Sequence, residues 1–140
     1  MVLAVQVSGF LILFYQRLLE IDSGILLDDL NILVSGGTFD EESLALNTTL
    51  IYSVGLGHWE QVGEMNQPRF GHALVTVGEK VAAIGGNERR PDRVTATIEE
   101  YDSVNKTWTY MDLKLNKPRT NFGFTLVPHS LFEGCKIYSN

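Results

Sequence analysis

The sequence has few of the residues that usually signal catalysis. One cysteine in 140 residues, Cys135, excludes an internal disulfide framework and any multi-cysteine zinc site. The three histidines, His58, His72 and His129, form neither H-x-x-x-H nor H-E-x-x-H, so no metal is expected. A G-x-S-x-G nucleophile elbow is absent. The paired carboxylates Glu41-Glu42 and Glu99-Glu100 are adjacent, and a strand sends adjacent residues to opposite faces, which is wrong for acid/base work. Basic charge is also scarce. A formal net charge of −6 argues against nucleic acid, whose phosphates need a basic surface. The expectation is a protein that is not an enzyme and takes no cofactor.

Long apolar runs are missing as well. Residues 1–15 carry no charge but fall short of the roughly 20 apolar residues of a membrane-spanning helix. Residues 1–22 read as an apolar strand or helix covering one end of the domain. The alternative is a cleaved leader ending near Ser23-Gly24, although no basic residue precedes the apolar part. Asn47-Thr48-Thr49 and Asn105-Lys106-Thr107 have the glycosylation pattern, which often arises by chance. The expected location is the cytoplasm, or outside the cell if residues 1–23 are a leader.

The chain does contain a repeat. Gly36-Gly37 returns as Gly85-Gly86, Tyr52 as Tyr101 and Trp59 as Trp108, each 49 residues later, and Asn66-Gln-Pro-Arg69 returns as Asn116-Lys-Pro-Arg119 after 50. Within one unit, 71–77 and 80–86 read as strands joined at Gly78-Glu79. Residues 94–101 alternate and are β-branched, and 107–111 follow an Asp/Ser/Asn turn. Four antiparallel strands in about 50 residues make one propeller blade. Paired glycines after a strand also open phosphate loops, but those continue into a helix. Here a charged loop and another strand follow.

These landmarks, Gly36, Gly37, Tyr52, Trp59, Gly85, Gly86, Tyr101 and Trp108 with Pro68-Arg69 and Pro118-Arg119, resemble the kelch-repeat family. The resemblance covers residues 24–127. It implies an all-β fold of kelch-type β-propeller blades, four-stranded antiparallel sheets in an incomplete propeller. Blade one spans 23–63, blade two 68–112 and a partial third blade 118–140. Two and a half blades do not close a ring, so a fragment of a longer product is expected, with self-association through open blade edges.

The resemblance also implies a protein-protein interaction module similar to the substrate-recognition propeller of kelch-like cullin ubiquitin-ligase adaptors. An actin-binding or scaffold kelch protein and a secreted kelch or galactose-oxidase-like protein are the alternatives. Relatives bind partners through the loop after a blade's second strand and through the link between blades. That directs attention to Arg69, Arg89, Arg90, Arg93, Arg119 and Asn121. Arginine forks suit carboxylates, so an acidic peptide is the expected ligand. Arg69 and Arg119 recur at one motif position, which equally fits hydrogen bonding between blades. Asp40, Glu41 and Glu42 form an acidic counterpart on the preceding blade.

Overall fold

The computed structural model describes residues 2–7, 10–15, 23–38, 44–89 and 93–124. Arg90, the acidic triplet 40–42, His129, Cys135 and the third blade beyond residue 124 lie outside the described residues. The charge-free N-terminus is strand: β1 (Val2–Val7) and β2 (Phe10–Tyr15) pair antiparallel as a two-stranded sheet.

Two four-stranded antiparallel sheets follow. The first runs β3 (Ser23–Asp28), β4 (Asn31–Ser35), β5 (Thr49–Ser53), β6 (His58–Gln61), hydrogen-bonded in chain order. The second runs β7 (Ala73–Val77), β8 (Lys80–Ile84), β9 (Thr97–Asp102), β10 (Thr107–Lys114), again in chain order. Trp108 therefore sits on an edge strand. The third strand of this sheet begins at Thr97 rather than Val94. Residues 94–96 belong to the loop instead, where Val94 bridges to Asn87 and Thr95 N donates to Gly86 O.

The alternation of each strand decides how the sheets pack. Ile25, Leu27, Leu33 and Ile51 point from the first sheet toward Leu74, Val81, Ala83, Tyr101 and Trp108 of the second, and together they form the largest core cluster. The opposite face of the first sheet gathers Ile32, Val34, Leu50, Tyr52 and Val54. The opposite face of the second gathers Val75, Ala82, Ile84, Ile98 and Met111. Each aromatic pair stands directly across a hairpin, Tyr52 opposite Trp59 and Tyr101 opposite Trp108, with ring centroids 5.0 and 5.1 Å apart and the same 47° tilt.

Up-and-down connection sorts the loops. The tight turns at 29–30, 54–57, 78–79 and 103–106 lie at one end of the sheets. The described parts of the connections after β4 (36–38 and 44–48) and after β8 (85–89 and 93–96), with the links 62–72 and 115–122, lie at the other. The two ends differ in what they offer a partner.

Candidate partner-binding surface

The loop end is built on the paired glycines. Gly36 and Gly37 take φ of 67° and 100°, and Gly85 and Gly86 take 63° and 99°, a region that L side chains rarely adopt. The link to the next blade presses against them. A Cβ at Gly36 would lie 2.3 Å from Arg69 O, and one at Gly85 would lie 2.7 Å from Arg119 O. The link is hydrogen-bonded there too, by Gly37 N to Arg69 O at 2.8 Å and Gly86 N to Arg119 O at 2.7 Å. The glycines hold the returning chain, so neither pair is a phosphate loop.

Arg69 is at the centre of this junction, with no exposed surface. Its Nη1 donates to Gly85 O at 2.6 Å and Thr97 O at 3.0 Å. Its Nη2 donates to Thr97 Oγ1 at 2.8 Å and pairs with Glu99 Oε1 at 3.0 Å. Glu99, equally buried, accepts from Gln67 N at 2.9 Å through Oε1 and from Asn66 N at 2.7 Å and Asn66 Nδ2 at 2.8 Å through Oε2. The link is thereby fastened to β8 and β9. The expectation that Arg69 contacts a partner is corrected by this burial: its guanidinium is consumed inside the protein. The structural alternative, hydrogen bonding at the blade junction, is what the geometry displays.

The remaining candidates differ. Arg119 makes the same backbone contacts as Arg69, yet its side chain is exposed. Asn121 is exposed at φ 50°, in the position where the previous link has Gly71 at φ 60°, and its N–H donates to Gly71 O at 2.8 Å. Asn is among the few residues besides Gly that enter this region readily. Arg89 and Arg93 lie on the loop after β8, which Asn87 organises: its Oδ1 accepts from Arg89 N at 3.0 Å and Arg93 N at 3.1 Å. Arg93 Nε pairs with Glu88 Oε2 at 3.0 Å on an exposed surface. The Arg89 side chain is exposed, and among the described residues it has no ion-pair partner.

The loops of neighbouring blades join. Leu44 and Arg89 form an antiparallel bridge, and Ala45 N donates to Glu88 O at 3.1 Å. Exposed Leu44 therefore sits beside exposed Arg89. Sequence reasoning looked to acidic residues in the first loop and missed Leu44. It also missed Glu99, because the adjacent pair Glu99-Glu100 was weighed only for acid/base work. A signal existed: the repeat partner of Glu99 is Leu50, an apolar residue on the same strand position. Glu99 and Glu100 do face opposite sides, Glu99 toward Arg69 and Glu100 toward Lys80.

His72 is buried, with Nε2 3.1 Å from Ser35 Oγ. Burial, with the Arg69 charge adding to it, lowers its pKa to about 3, so it stays neutral. Its repeat counterpart is Phe122 and that of Ser35 is Ile84, which marks a packing site. Among the described residues no group of His, Cys, Asp or Glu has the arrangement of a metal site.

Residues 68–111 match the family model described as the Kelch motif. They span the second blade. The chain carries a kelch repeat. The first blade repeats the same glycine clamp and aromatic pair without falling within that match. Among curated proteins, the chain is similar to Alpha-scruin of Limulus polyphemus, 31% identical over 88 residues, which is 63% of this chain and 9% of that protein. It is also similar to Kelch-like protein 36 of Rattus norvegicus, 28% identical over 95 residues, 66% of this chain and 15% of that one. The chain thus corresponds to a small part of each relative it matches.

Proposed function

We propose that these kelch blades form a protein-binding module without catalytic activity, whose loop end takes a carboxylate-bearing peptide, in the manner of a substrate-recognition propeller of kelch-like ubiquitin-ligase adaptors acting in the cytoplasm. One observation carries the reading. The bridge between Leu44 and Arg89 joins the loops of two blades and leaves a guanidinium without an ion-pair partner among the described residues, beside an apolar side chain. A planar guanidinium binds a carboxylate with two parallel hydrogen bonds. Arg119 adds exposed positive charge at the same end, and Arg93 is exposed there in its pair with Glu88. The similarity to Kelch-like protein 36 supports the adaptor reading.

The test is fluorescence anisotropy with a labelled Asp/Glu-rich peptide carrying one leucine. Binding is expected, with at least a tenfold loss in Arg89→Glu/Arg93→Glu and a smaller loss in Leu44→Ser. Equal binding by the wild type and the double variant would overturn the assignment.

A further inference from the structure

The opposite end has its own chemistry. Two of its turns, one per blade, share the pattern Asp-x-aliphatic-Asn: Asp28-Asp29-Leu30-Asn31 and Asp102-Ser103-Val104-Asn105. In the first, Asp28 Oδ1 accepts from Leu30 N at 2.8 Å and Asn31 Nδ2 binds both carboxylate oxygens, at 3.0 and 2.9 Å. In the second, Asp102 Oδ1 accepts from Val104 N at 2.8 Å and Asn105 N at 3.0 Å, and Oδ2 accepts from Asn105 Nδ2 at 2.8 Å. These bonds hold both carboxyls below the usual carboxylate range and keep them charged.

What the turns hold outward is apolar. Leu30 is 56% exposed and Val104 88%, and Leu56 in the 54–57 turn is 75% exposed between Gly55 and Gly57. Single exposed aliphatics are common, but a turn tip ordinarily favours Gly, Asn, Asp or Ser. Here three turns at one end each raise an aliphatic tip, and two fix a carboxylate beside it. The two lysines of this end are paired, Lys80 with Glu100 and Lys106 with Glu60. Asp28, Asp29, Glu79 and Asp102 have no ion-pair partner among the described residues, so the end is acidic as well as apolar.

We infer that the turn end is a second docking surface, for a protein segment bearing lysines or arginines interleaved with leucine-like side chains. The charge complementarity selects this occupant: an acidic segment would meet like charges, and an anionic lipid surface would be repelled. The aliphatic tips supply apolar burial, and the capped carboxylates supply orientation at little ordering cost because their turns are already fixed. The inference is independent of the loop-end reading, which concerns arginines at the other end of the sheets.

The experiment uses the whole chain and three labelled peptides of equal length: alternating Lys/Leu, Lys/Ser and Glu/Leu. The Lys/Leu peptide is expected to bind and to weaken as salt rises. Leu30→Ser/Leu56→Ser/Val104→Ser should lose at least tenfold in affinity for it, and Asp28→Asn/Asp102→Asn several-fold, whereas Arg89→Glu/Arg93→Glu should leave it unchanged. Melting curves accompany each variant. If the triple variant fails to fold, Leu56→Ser alone, in an exposed glycine-flanked turn, should show about a threefold loss. Unchanged affinity in the folded tip variants overturns the inference. Binding of Lys/Ser or Glu/Leu as tight as that of Lys/Leu overturns it too.

Discussion

Arg69 and Glu99 form an ion pair 3.0 Å long with both side chains fully buried, one from the link between blades and the other from the third strand of the second blade. Breaking a buried pair by removing one partner costs about 3–5 kcal/mol, because the remaining charge is stranded. Arg69→Met and Glu99→Leu should each show a loss of that size in urea unfolding. Replacing both often restores stability elsewhere, but not here. Glu99 also accepts from Asn66 N and Gln67 N, and Arg69 serves the buried Gly85 O, so the double variant removes the side-chain partners of these backbone groups at the blade junction. Arg69→Met/Glu99→Leu is therefore expected to stay well below the wild type. Full recovery would show that these backbone bonds matter little.

The two tryptophans should behave unequally. Trp108 is 6% exposed and Trp59 38%, although their hairpins share one geometry. Trp108 lies between the blades, and its Nε1 donates to Thr49 Oγ1 at 2.9 Å across that interface. Trp108→Ala should cost ~3–5 kcal/mol and Trp59→Ala clearly less. Trp108→Phe isolates the hydrogen bond and should cost about 1 kcal/mol plus the lost packing. Equal losses for both alanine variants, read as denaturant midpoints, would contradict the burial argument.

Acid should act through His72. Its folded pKa of about 3 lies below the unfolded value of roughly 6.5, so the unfolded chain binds the extra proton first. This contribution to stability is complete above about pH 6.5 and is lost as pH falls toward 3. It amounts to a few kcal/mol, at about 1.4 kcal/mol for each tenfold difference in proton affinity between the folded and unfolded chain. The paired replacement Ser35→Ile/His72→Phe copies the Ile84 and Phe122 of the next repeat. It should flatten the stability profile between pH 6.5 and 4, measured by urea unfolding against the wild type. The exposed carboxyls of Asp28 and Asp102 are held below 3.8 and add their own loss only below that range.

Lys106 stands at φ 55°, where the first blade has Gly57 at φ 67°. Lys106→Gly relieves the left-handed strain, about 1–2 kcal/mol. It also gives up backbone entropy of about 0.5–1 kcal/mol and an exposed pair with Glu60 worth little. Stability should hold to within about 1 kcal/mol. Lys106→Val, β-branched at positive φ, should cost ~1–2 kcal/mol in thermal or urea unfolding. A Val variant as stable as the wild type would mean that the turn rearranges freely.

The sequence alone determined the repeat and what it demands. Glycine pairs, a Tyr opposite a Trp, and a Pro-Arg link recur at one spacing, and local chemistry suffices to read them: positive φ at Gly85-Gly86, alternation over 94–101, an Asp-capped turn before Trp108. What the repeat leaves undecided is neighbourhood. Arg69 and Arg119 share a motif position and identical backbone contacts, yet one is buried against Glu99 and the other is exposed; Trp59 and Trp108 divide the same way. Strand alternation names the faces, but only packing of the blades says which face is covered. Leu44 entered the loop-end surface through a bridge to Arg89, a contact between residues 45 apart that no local pattern encodes. The tertiary structure decided burial because burial belongs to pairs of surfaces, and a one-dimensional pattern specifies each surface separately.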